Sequence, residues 1–231
     1  MNKQKKKDQQ EKKASREKKL GNFQIRRWRI SKGVLTAWMI GLCVAGIIGY
    51  NFYQHQRSLV GGGAPPARVK GSPQARLKII EYIDLQCPHC ALGAMTLKSY
   101  LDRYPGDIYL EMRYFPLGQL NSMISAIYAE CAATQDKFWE LTDLLLERQS
   151  QWRKIKDVQD LFWGMAQEAG LDLNALSQCV TSGKARATIL ADKAKGDSLI
   201  IKSTPTYFIN GQMVVGYENL KKELGKNFED K

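Results

Sequence analysis

Two cysteines stand three positions apart in the stretch YIDLQCPHCALGAM, residues 82–95, with Pro88 and His89 between them. A pair at that spacing can clasp a metal, staple a fold or serve as a redox centre. A covalently attached haem needs a histidine directly after the second cysteine, and Ala91 stands there. Zinc needs three or four ligands. His89 is too close along the chain to join both cysteines on one tetrahedral ion, and the other candidates are Cys131, Cys179 and His55. Thiol–disulfide exchange is the better reading. It requires a thiolate that is available at neutral pH and is also a good leaving group. No metal and no cofactor are expected.

The elements around the pair supply such a setting. ARLKIIEYIDL, residues 75–85, is the dense β-prone run of a strand buried on both faces. From Pro88 to Tyr104 the apolar residues Leu92, Met95, Leu97 and Leu101 recur at helical spacing, and Pro105-Gly106 ends the run. DIYLEMRYF, residues 107–115, is a second strand, so the order implies a parallel crossover. Helical patterns follow at 121–133, 137–148, 158–169, 173–182 and 184–198. The chain then returns to β in TPTYFINGQMVVG, where Asn210-Gly211 signals a type I′ hairpin, and a short helix at 218–224 closes it.

A strand–helix–strand unit, a helical block, a hairpin and a helix are the order of an α/β thioredoxin-like fold with a helical insertion at about 119–198. Residues from about 72 to 225 resemble the DsbA-type branch of the thioredoxin superfamily. The marks are CPHC at Cys87 to Cys90, CAATQDKFWEL from Cys131 and STPTYFINGQ from Ser203. A lone C-x-x-C carries little weight; its place at a strand-to-helix junction, with T-P-T-Y-F-I-N-G over a hundred residues later, carries much more.

Pro88 suits the first helical position, which makes Cys87 the residue capping the helix, its sulfur facing free amides and the positive end of the dipole. Cys87 is the expected nucleophile. Cys90, one turn on, is the shielded resolving thiol with the higher pKa. The resemblance gives His89 a tuning role that can take the nucleophile's pKa to roughly 3.5. It also implies a cis Thr204-Pro205 bond beside the cysteines, with Thr204 and Pro205, together with Pro88, facing an extended substrate peptide. Thioredoxin-like proteins often keep one buried acid in the first strand. Glu81 shares a strand face with Ile83 and Leu85, where burial raises a carboxylic acid toward neutrality and lets it exchange a proton with Cys90. The competing reading of Glu81 is a strand-end residue facing solvent. With Cys87 and Cys90 as the redox pair, Cys131 and Cys179 remain; an oxidising compartment favours a bridge over two buried free thiols. Closing that loop of about 48 residues would stabilise by roughly 4 kcal/mol.

Charge locates the compartment. The formal net charge is +12, and ten of those charges lie in residues 1–32, which hold 13 Lys/Arg against 3 Asp/Glu. The remainder is nearly balanced, which excludes a basic nucleic-acid groove on the folded part. Residues 33–54, GVLTAWMIGLCVAGIIGYNFYQ, carry no charge and are long enough to span a bilayer, with aromatics at the ends. The exit at Asn51-Phe52-Tyr53 does not suit signal cleavage. The sequence thus reads as a basic cytoplasmic tail (1–32), a single transmembrane helix (33–54), a flexible Gly/Pro linker (55–73) and an extracytoplasmic domain (74–231). Cys43 reads as a small apolar residue of the span.

The resemblance implies a disulfide oxidase of the inner membrane, its domain periplasmic, acting as a monomer on reduced extracytoplasmic proteins and reoxidised by a quinone-linked membrane protein. A tethered reductase and a non-catalytic chaperone or assembly factor are the alternatives.

Overall fold

The structure, a computed structural model, describes residues 41–49 and 66–228. Residues 41–49 are helical, and among the described residues no helix is long and apolar enough to cross a membrane. The expected tail and most of the expected span at 33–54 lie outside the described residues, as does His55.

A single 3₁₀ turn, Pro66–Arg68, leads into strand β1 (Val69–Gly71), which pairs antiparallel with β3. This corrects the linker expected over 55–73. Its last residues are a built part of the sheet, and Arg68 is buried with its guanidinium against Glu130 and Asp192. A three-residue edge strand carries no periodicity of its own, so the Gly/Pro composition around it hid the element.

The remaining elements are β2 (Leu77–Ile83), α1 (Pro88–Arg103), β3 (Ile108–Tyr114), α2 (Ser122–Ala133), α3 (Phe138–Glu147) and α4 (Gln149–Trp152). After these come α5 (Gln159–Glu168), α6 (Leu173–Thr181), α7 (Lys184–Ser198), β4 (Thr206–Ile209), β5 (Gln212–Val215) and α8 (Tyr217–Phe228). The five strands lie in the order β1-β3-β2-β4-β5. β2 and β3 are parallel, and β4 runs antiparallel to β2. Asn210 and Gly211 both take positive φ, 47° and 86°, as the two-residue turn between β4 and β5 requires.

β2 is buried nearly throughout because both faces of the sheet are covered. On one face Leu77, Ile79 and Leu110 pack with Leu97 of α1 and with Leu220 and Leu224 of α8. Farther along that face, Ile83, Leu85 and Met112 join the core of the insertion, which includes Phe138, Leu141, Trp152 and Phe162. The opposite face buries Ile80, Tyr82, Phe115 and Phe208 together with Ile201. Gly196 of α7 meets this side so closely that a Cβ there would come within 2.6 Å of Phe115.

Within the insertion, Cys131 of α2 and Cys179 of α6 form a disulfide, with Cα atoms 5.7 Å apart. Asp172 caps α6, accepting from the amides of Asn174 and Ala175 at 2.8 and 3.0 Å. The one-turn helix α4 has no counterpart in the sequence reading; four residues are too few to show a period.

Candidate active site

The site grows from the junction of β2 and α1. Cys87 has extended backbone angles (φ −77°, ψ 123°) and Pro88 opens the helix. The unpaired amides of the first turn therefore converge on the Cys87 sulfur. Cys90 lies one turn in and is fully buried, at the head of the buried stripe Cys90, Gly93, Leu97 and Tyr100. Both cysteines are free thiols.

Their surroundings drive the two thiols apart. The Cys87 pKa is lowered to about 5, chiefly by a hydrogen bond from the Cys90 thiol; burial opposes this, and the Cys90 amide, the Thr204 side chain and the His89 amide reinforce it. Burial pushes Cys90 well above the usual thiol range, and its hydrogen bond to Cys87 and the charges of Cys87 and Glu81 push the same way. At neutral pH the half-buried member of the pair is a thiolate and the fully buried member a thiol.

Across from the helix end, the Thr204-Pro205 peptide bond is cis. The Cys87 thiol donates to the Thr204 carbonyl at 3.4 Å. Pro88 and His89 are exposed. The His89 backbone amide is among the groups that lower the Cys87 pKa.

Glu81 is fully buried in the strand before the motif, with Met112 of β3 and Tyr207 of β4 as its register neighbours. Neither carboxyl oxygen has a partner within hydrogen-bonding geometry. Burial raises its pKa to about 8, and the Tyr207 hydroxyl lowers it part of the way back. The solvent-facing reading of this residue does not hold.

A buried polar network fixes the loop that carries Cys87. Asp84 accepts from the Gln86 amide at 2.9 Å, from the Leu117 amide at 2.8 Å and from the Ser122 hydroxyl at 2.7 Å. The Gln86 carboxamide accepts from the Asn121 amide at 2.6 Å and donates to the Arg153 carbonyl. Gln149 of α4 donates to the carbonyls of Leu85 and Cys87 at 2.7 and 3.0 Å. Sequence reasoning missed all of these groups, and Tyr207 as well. Isolated polar residues in helical or loop segments carry no signal until the fold buries them. Among the described residues no cluster of His, Cys, Asp and Glu is arranged to hold a metal ion.

The arrangement holds a stabilised thiolate, a protonated resolving thiol within reach of it, an open carbonyl beside the pair and a buried acid behind it. Comparison with known proteins agrees with that architecture. The sequence profile of the family described as Thioredoxin matches residues 64–226. The chain is 30% identical over 155 residues to a Na(+)/H(+) antiporter, NhaA 1 of Salinispora arenicola, covering 66% of this chain and 23% of that protein. It is 27% identical over 172 residues to RP025 of Rickettsia prowazekii, which carries the name of a protein-disulfide oxidoreductase, covering 70% of this chain and 61% of that protein. The chain thus spans about a quarter of the antiporter and about three fifths of the Rickettsia protein. Among solved structures, alpha-DsbA1 of Wolbachia pipientis superposes with a TM-score of 0.61 at 24% identity, over 71% of this chain and 90% of that one. With this fold and a profile match over most of its length, the chain belongs to the thioredoxin family and has a DsbA-type fold with a helical insertion.

Proposed function

We propose that the protein is a thiol:disulfide oxidoreductase that donates a Cys87–Cys90 disulfide to reduced extracytoplasmic proteins. The observation that carries this reading is the placement of the two thiols, Cys87 half-buried at the open N-terminus of α1 and Cys90 fully buried one turn in, which drives their pKa values apart. In the donating direction a substrate thiolate attacks the Cys87 sulfur and forms a mixed disulfide, while the Cys87–Cys90 bond breaks. Cys90 leaves as a thiolate and takes a proton, for which Glu81 is the nearby donor. A second substrate thiolate then attacks the substrate sulfur of the mixed disulfide and releases Cys87 as a thiolate. A low pKa makes Cys87 a good leaving group and stabilises the reduced protein, so electrons flow from substrate to enzyme. The nearness of the Thr204 carbonyl to the Cys87 sulfur supports a role for this backbone in receiving an extended substrate strand. The dithiol must then be reoxidised, and a quinone-linked membrane protein is the partner that fits an anchored enzyme. Uncharged residues 33–54 behind a basic tail support an inner-membrane anchor with the domain outside.

The test is oxidation of a reduced dithiol peptide by the oxidised protein under single-turnover conditions. Stoichiometric peptide oxidation that disappears in Cys87→Ser supports the proposal. A protein that leaves the peptide reduced, or one whose Cys87→Ser/Cys90→Ser variant retains full function in cells, contradicts it and favours a chaperone or assembly role.

A further inference from the structure

Behind the redox pair, three buried oxygens have no hydrogen-bond partner: both carboxyl oxygens of Glu81 and the hydroxyl of Tyr207. Stranding three polar atoms in a core is costly unless they serve one another. Strand register puts them together, because Glu81 of β2 and Tyr207 of β4 are direct Cα partners in an antiparallel pair and their side chains share a sheet face. The same face receives α1, and the helix is notched for the hydroxyl. A Cβ built on Gly93 would sit 2.1 Å from the Tyr207 oxygen. Gly93 is three residues after Cys90 on the same buried stripe. The hydroxyl is therefore lodged between the strand that carries the acid and the helix turn that carries the resolving thiol.

The other groups facing this spot are few. From α1 they are Cys90 and Cys87; from β3 the neighbour is the apolar Met112, and Glu111 and Arg113, one position to either side, point to the opposite face. From α8, Leu220 approaches Gly93. Among the described residues, the Tyr207 hydroxyl is the side-chain donor that lowers the Glu81 pKa.

We propose that Tyr207 is a positioning residue for proton transfer: its hydroxyl, seated in the Gly93 notch, donates to the Glu81 carboxylate and holds that acid ready to exchange a proton with Cys90. The transfer balances simply. When the Cys87–Cys90 disulfide is opened, Cys90 leaves as a thiolate, the Glu81 O–H bond breaks and the Cys90 S–H bond forms. The negative charge passes to the carboxylate, where the Tyr207 hydroxyl receives it as a hydrogen bond. In the reverse direction the same hydroxyl stabilises the ionised form of the acid that accepts the Cys90 proton. In both directions the donor brings the acid closer to the working pH, where proton exchange is most efficient.

This inference rests on the proposed exchange reaction for its kinetic part only; the coupling of the two side chains can be read without it. The full-length chain is labelled at its carboxyl carbons, and Glu81 is assigned by the signal that vanishes in Glu81→Gln. In the disulfide form, Tyr207→Phe should raise the Glu81 titration midpoint by about one to two pH units, the loss of one hydrogen bond to a charged group. A fluorinated tyrosine at 207, a stronger donor, should move it downward. The pH profile for opening of the disulfide by glutathione should shift upward with the midpoint in Tyr207→Phe. Adding Tyr207→Phe to Glu81→Gln should change the rate less than twofold. An unchanged Glu81 midpoint in both variants overturns the proposal, as does a rate loss that is uniform across pH, which marks a packing role. A chain that shows the midpoint shifts but no exchange with any thiol keeps the pairing of Tyr207 with Glu81 and overturns the oxidoreductase reading instead.

Discussion

The side-chain amide of Gln149 donates to the carbonyl oxygen of Cys87 at 3.0 Å, joining a one-turn helix of the insertion to the first residue of the redox motif. The same amide holds the Leu85 carbonyl at 2.7 Å, so one residue satisfies two buried acceptors of the loop between β2 and α1. The insertion is thus part of the frame that aims the Cys87 sulfur. Gln149→Leu strands the Leu85 carbonyl, while the Cys87 carbonyl keeps the amides of Cys90 and Ala91, and should cost about 1–3 kcal/mol of stability in urea unfolding. It should also raise the Cys87 pKa, read from thiolate absorbance. Gln149→Leu with wild-type stability would show that the contact is incidental.

Alkylation distinguishes the two thiols. In a Cys43→Ala background, which removes the exposed third thiol, the reduced protein should react at Cys87 alone, with a pH midpoint near 5. Cys90→Ala should accumulate mixed disulfides through Cys87. Labelling of Cys90 ahead of Cys87 at pH 5 would reverse the assigned roles.

Glu81 makes stability depend on pH with a definite sign. Its folded pKa of about 8 lies above the ordinary carboxylic value of 4.5, so the folded state favours the protonated acid. Stability from this group is whole below about 4.5, declines as pH rises and is lost above 8, a few kcal/mol in all. Glu81→Gln should remove that decline and leave the protein more stable than wild type at pH 9. Parallel stability curves for the two proteins from pH 5 to 9 would contradict the buried-acid assignment.

Much of this was legible in the sequence because it depends on local rules. A proline after the first cysteine, apolar spacing in α1, Asn-Gly in the hairpin and β-branched residues in β2 each act within a few residues of themselves. The Cys87 and Cys90 roles follow from those local features. The cis bond at Pro205 was reached through the family resemblance and the Cys131–Cys179 bridge by elimination, as the pair left over in an oxidising compartment, since neither is set by neighbouring residues. What the sequence hid is what only folding brings together. Gln149 reaches Cys87 across 62 residues, and Arg68 reaches Asp192 across 124. Nothing in the sequence marks Tyr207, which the register of β2 and β4 places opposite Glu81.

The proposed anchor at residues 33–54 is tested by topology. A protease added to intact spheroplasts should degrade residues 74–231 while the basic tail stays protected. Protection of that domain would place it on the cytoplasmic side and contradict an extracytoplasmic oxidase.

The central claim is that the site is built to give disulfides away, and the potential of the Cys87–Cys90 couple, equilibrated against glutathione, tests it most directly. A Cys87 thiolate stabilised to a pKa of about 5 predicts a potential more oxidising than roughly −200 mV. A value near −270 mV or below, the range of a thioredoxin-type reductant, would contradict the account.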